Sequence, residues 1–169
     1  VLENVNLPSL KSSENAHLPD EIGGHAELSG LTEIKKGFLS KNKIGQQLNI
    51  RNVKNVDDLD LPKELGGINI NGVKQIRRLK FPENMSDSIE MENVESVGEI
   101  SFPLSMGGNI KMPSIRFLAN MVFPGMMGDL FLDSAETLEN VTLPLMMRDL
   151  KLSSLKSAKG IIWPEYLRN

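Results

Sequence analysis

The chain has 169 residues, no cysteine, 5% aromatic residues, 24% charged residues and a formal net charge of -3. These values exclude a disulfide framework and a thiolate metal site, give no general attraction to nucleic acid or anionic membrane, and leave no apolar run long enough to span a bilayer. The 40% of hydrophobic residues can still build a core, and their order along the chain shows how.

The apolar residues recur in steps of two, three, three, three and two, closed by proline. Coil one runs Val5, Leu7, Leu10, Ser13, Ala16, Leu18 and Pro19. Coil two runs Ala26, Leu28, Leu31, Ile34, Gly37 and Leu39, with Ser40 in place of the proline. Coil three is Leu48, Ile50, Val53, Val56, Leu59, Leu61 and Pro62, and coil four is Ile68, Ile70, Val73, Ile76, Leu79, Phe81 and Pro82. Coil five is Ile89, Met91, Val94, Val97, Ile100, Phe102 and Pro103; coil six is Ile110, Met112, Ile115, Leu118, Met121, Phe123 and Pro124. Coil seven is Leu130, Leu132, Ala135, Leu138, Val141, Leu143 and Pro144, and coil eight is Leu150, Leu152, Leu155, Ala158, Ile161, Trp163 and Pro164. A period of 20 to 22 residues repeated eight times is the signature of a solenoid.

The spacing predicts the path of one coil. Apolar residues at i and i+2 are strand alternation, so slots one-two and five-six read as two short parallel strands. Steps of three between them fit irregular or 3₁₀-like connections that keep a side chain pointing inward. Proline ends the second strand because it has no amide for the ladder. Glycine pairs at 23-24, 66-67 and 107-108 are expected to turn the chain. A seventh inward contact follows each proline by three residues, at Ile22, Leu65, Met85, Met106, Met127, Met147 and Leu167. In coil two, Gly37 in a core slot, the missing proline and an extra residue near Lys41 to Ile44 predict a local bulge. Opening on Val1 points to a piece of a longer protein in which residues 1–169 form a single repeat domain.

The run Leu61-Pro62-Lys63-Glu64-Leu65-Gly66-Gly67-Ile68-Asn69-Ile70 resembles the short bacterial leucine-rich repeat, and Leu138 to Pro144 resembles the BspA-like surface repeats. The resemblance covers nearly the whole chain. It implies recognition of a protein, as in type III effectors or adhesins. Typical leucine-rich repeats carry Asn in the third slot, where this chain is aliphatic, which favours a flat two-sheet solenoid over a horseshoe. The expected fold is mainly β, a right-handed parallel β-solenoid or leucine-rich-repeat-like array.

Few residues suggest chemistry. His17 and His25 lie at outward positions without an obvious partner. Asp129 and Asp149 share one outward position in adjacent coils, about 5 Å apart by strand spacing, which would suit a retaining glycosidase or a calcium site. The competing reading is an acidic edge relieved by Lys111 and Lys151. Between slots four and five, Lys36, Asp58, Arg78 and Glu99 alternate in sign from coil to coil, as do Lys35, Asp57 and Arg77, which would specify register. Between slots five and six the row His17, Phe38, Asp60, Lys80, Ser101, Val122, Thr142, Ile162 loses its charge in its second half.

These observations lead to a non-enzymatic protein-recognition or scaffolding solenoid from a disulfide-free bacterial protein, cytoplasmic or secreted. Its partner would be another protein or a neighbouring domain, with no nucleic acid, membrane insertion, cofactor or metal. The candidate binding residues are Val122, Thr142, Ile162 and, on the other sheet, Phe131. The alternatives are a carbohydrate-active β-helix using Asp129 and Asp149, and a structural spacer.

Overall fold

The computed structural model describes residues 1–167, with the side chain of Leu167 outside the described residues. It is a parallel β-solenoid of about seven turns, with no helix among the described residues. The first slots of successive coils lie side by side: Val5 pairs with Ala26, Ala26 with Leu48, Leu48 with Ile68, Ile68 with Ile89, and so on through Ile110, Leu130 and Leu150. This is the first face, and it runs the length of the molecule. Its alternation is local: Ile68 and Ile70 are fully buried, and Asn69 between them reaches out to Glu90.

A tight turn follows each first-face strand and explains the next step of three. The slot-three amide donates to the slot-two carbonyl, as in Val73 to Ile70, Val94 to Met91 and Ile115 to Met112. The two residues inside these turns are Asn71-Gly72, Glu92-Asn93 and Pro113-Ser114, which suit i+1 and i+2 of a β-turn. Because the turn satisfies its own backbone groups, slot three can be aliphatic: Val73, Val94 and Ile115 are completely buried.

The second face begins at slot four, earlier than expected, with strands Asn55–Val56, Gln75–Lys80 and Ser96–Ser101 in one sheet and Phe117–Val122, Thr137–Thr142 and Ser157–Lys159 in another. A third face was not foreseen. It lies at the seventh inward contact and is built from Glu21–Ile22, the leading parts of Lys43–Asn49 and Glu64–Asn69, then Asn84–Met85, Ser105–Met106, Met146–Met147 and Tyr166–Leu167. The coil is therefore three-sided, with the corner between the second and third faces at the proline. A flat two-sheet cross-section is overturned.

Three local expectations are corrected. The glycine pairs at 23-24 and 107-108 do bend the chain, between the third and first faces, but without positive φ, and the pair at 66-67 makes no turn; among the described residues the only glycines with positive φ are Gly37 and Gly160. Gly66 and Gly67 lie inside the strand Glu64–Asn69, and a Cβ on Gly66 would sit 2.4 Å from the Gln46 carbonyl oxygen, so coil-to-coil approach is what requires glycine there. Phe38, assigned outward, is 2% exposed. The Phe38 amide donates to the Lys35 carbonyl across Gly37 at φ 77°, a turn that leaves slot five without a side chain and swings the ring into the core. Ala16 and Leu7, given core slots in coil one, are exposed, because an outermost coil is covered from one side only. The extra length around coil two is absorbed in the ladder: the strand Lys43–Asn49 shifts register against Glu64–Asn69 between Ile44 and Gln47.

Candidate functional site

The acidic pair resolves into an ion pair with a neighbour the sequence did not single out. Asp129 Oδ1 and Oδ2 accept from Arg148 Nε and a terminal guanidinium nitrogen at 3.1 and 3.0 Å, a bidentate clamp. Its amide donates to Asn109 Oδ1 at 2.7 Å. Asp149, one coil on, is exposed. Lys111 does not serve this edge but donates to Glu90 at 3.1 Å, and the Lys151 ammonium sits 4.9 Å from the centre of the Phe131 ring. Phe131, a candidate binding residue from the sequence, is thus half-buried beneath a cation. His25 Nε2 shares a hydrogen bond with Asn6 Oδ1 at 3.0 Å, and His17 is exposed. Among the described residues no three His, Cys, Asp or Glu side chains converge as a metal site.

The structure does bring Val122, Thr142 and Ile162 together. Val122 pairs with Thr142 and Thr142 with Ile162, forming one row across coils six to eight. Val122 is 64% and Ile162 56% exposed, and Thr142 between them is half-buried. Beside the row runs another uncharged one, Asn120, Asn140 and Gly160. All three adopt positive φ, and Asn140 Nδ2 donates to Asn120 Oδ1 at 3.2 Å. Asn and Gly are the residues that enter this region at low cost. Their type was the available signal, since the equivalent positions in coils three to five are Asp58, Arg78 and Glu99.

The predicted charge row is realised in part. Arg78 is bidentate to Asp58 at 3.2 and 2.5 Å and holds its carboxyl below the ordinary 3.8. Glu99 lies in register with Arg78. Lys36 reaches Asp60, and Lys35 reaches Glu33 of its own coil, so the flanking row Lys35, Asp57, Arg77 does not pair as expected at its start. A second alternating row was missed. It follows slot three: Lys74 bonds Glu95 at 3.2 Å, and Glu136 is held between Arg116 and Lys156, the latter at 2.8 Å. Lys156 and Arg116 keep the Glu136 carboxyl below its ordinary 4.5.

The third face carries the largest surprise. In the residue before the seventh contact, Glu21, Lys43, Glu64 and Asn84 give way to Ser105, Met126, Met146 and Tyr166, and the position before that ends in Leu104, Gly125, Leu145 and Glu165. Among the described residues every exposed large apolar side chain lies either within the first seven residues or at Leu104 and beyond. No helix among them is long and apolar enough to cross a membrane. Comparison with protein-family models, with curated proteins and with solved structures returns no match.

Proposed function

We propose that this solenoid is a non-enzymatic recognition or scaffolding module whose contact surface is the uncharged row Val122, Thr142 and Ile162. The observation that carries this reading is the distribution of exposed apolar side chains, which are absent between Leu7 and Leu104 and frequent afterwards. Burying the first half in an interface would desolvate Asp58, Arg78 and their neighbours, whereas the second-half row has no charge to strip. The likeness to the short bacterial leucine-rich repeat and to BspA-like surface repeats agrees with a role in a bacterial effector or surface protein. The bidentate hold of Arg148 on Asp129 supports this reading over a carbohydrate-active one, because that carboxylate is committed to a structural ion pair.

The test is a Val122→Glu, Thr142→Lys double substitution whose melting temperature stays close to the parent. Pull-down of the partner through the full-length protein should fall sharply. Undiminished capture would move the contact to another face and sink the assignment of this row.

A further inference from the structure

We propose that the third face of coils five to eight is a two-fold interface through which two copies of this chain associate. This goes beyond the recognition row, which lies on the second face across the proline corner. The argument starts from exposure. Leu104, Met126, Leu145, Met146 and Tyr166 are each 40 to 70% exposed. At roughly 150–250 Å² for a whole aromatic side chain and less for Leu and Met, they leave on the order of 400–600 Å² of side chain uncovered, the upper part of what monomers show. With the intervening backbone this approaches the roughly 800 Å² that each partner contributes to a standard interface.

The pattern also identifies the occupant. Ser105, Met126, Met146 and Tyr166 form one ladder row, paired in that order. The adjoining row is Leu104, Gly125, Leu145 and Glu165, tied to the same ladder by bonds from the Gly125 amide to the Leu104 carbonyl and from the Met146 amide to the Gly125 carbonyl. A two-fold axis lying in the interface, parallel to the strands and between Met126 and Met146, reverses the coil order and keeps each row facing itself. Met126 of one copy then meets Met146 of the other, thioethers able to adjust to each other's shape. Tyr166 falls opposite Ser105, and Leu145 opposite Gly125, so in these two pairs a bulky side chain meets a small one. The single charge in the two rows, Glu165, lands at the rim opposite Leu104 and never opposite itself. The neighbouring Arg148 is already neutralised by Asp129, so two like faces meet without uncompensated charge at that border. In the first half the same rows carry Asp20, Glu21, Lys43, Lys63, Glu64 and Glu83, and no such self-pairing is available.

Gly125 makes the test specific. A Cβ there would meet only the Leu104 carbonyl oxygen at 3.6 Å, an ordinary contact, so a side chain fits the monomer while occupying the space that Leu145 of the second copy needs. Sedimentation equilibrium of the chain should show a dimer at about 100 μM, where an interface of micromolar Kd is nearly all dimer. Gly125→Leu should weaken association by about tenfold or more with its melting temperature retained. Adding Leu145→Gly to that variant should restore the dimer, since the large and small partners are simply exchanged. A parent chain that remains monomeric at this concentration overturns the proposal. So does a dimer indifferent to Gly125→Leu, or one that the exchange fails to restore, because either result places the contact elsewhere or removes the two-fold pairing. The Val122→Glu, Thr142→Lys variant should dimerise normally, which separates this interface from the recognition row.

Discussion

Coils three to five and coils six to eight use the same inward slots yet present different second faces. In the first group the residue before slot five is Asp58, Arg78 or Glu99, none at positive φ, and the strands Gln75–Lys80 and Ser96–Ser101 pair over their length. In the second group it is Asn120, Asn140 or Gly160 in the left-handed region, and these strands pair with one another. The two conformations do not match, and the second-face ladder is interrupted between Ser96–Ser101 and Phe117–Val122. At that seam Val97, Ile100 and Phe102 are only half-buried, while Leu118, Met121 and Phe123 one coil later are buried. Phenylalanine stacking crosses the gap, with ring centres of Phe102 and Phe123 5.0 Å apart and of Phe81 and Phe102 5.9 Å apart. The comparison teaches that a regular core can carry two surface conformations, provided the side-chain stack bridges the place where the backbone ladder stops.

The largest expected effect tests that bridge. Phe123→Ala should cost about 3–5 kcal/mol, read as a shift of the urea midpoint. Phe102→Ala should cost less, because its ring is already half-exposed at the seam. Equal losses would mean that the seam is as tightly packed as the coils on either side. A smaller effect tests the conformational difference itself. Asn140→Ala should cost about 1–2 kcal/mol for placing an ordinary residue at positive φ, and Asn140→Gly should leave the melting temperature unchanged or raise it. At Arg78, where the backbone is extended, glycine should lower it, so substitutions to glycine should separate the two regions by sign.

The smallest effect concerns the ion pairs on each side of the seam. Asp58 and Glu136 have carboxyls held below their ordinary values by their cationic partners. A folded value below the unfolded one means that protonation favours the unfolded chain. The stabilisation is therefore complete above the ordinary carboxylate range and is lost as pH falls through the lower folded values. An Asp58→Asn, Glu136→Gln variant should melt slightly below the parent at neutral pH, and the two melting curves should converge in acid. A gap that stays constant with pH would assign the difference to packing and remove the electrostatic account of register.

The slots, their period and the parallel stacking were legible in the sequence alone. Which residues point inward is settled by short-range alternation, and eight copies repeat the message; the pairing of Val5, Ala26, Leu48 and Ile68 is the direct result. The uncharged row Val122, Thr142, Ile162 was visible for the same reason, as an outward position read once per coil. What surrounds an outward residue was not visible. Arg148 as the partner of Asp129, Lys151 over Phe131, the third face with its methionines, and the need for glycine at Gly66 all depend on how closely one coil lies against the next and on where the corners fall. Those distances come from stacking the coils, so only the tertiary structure decided them, because a period along the chain carries direction inward or outward but no record of the neighbour it will face.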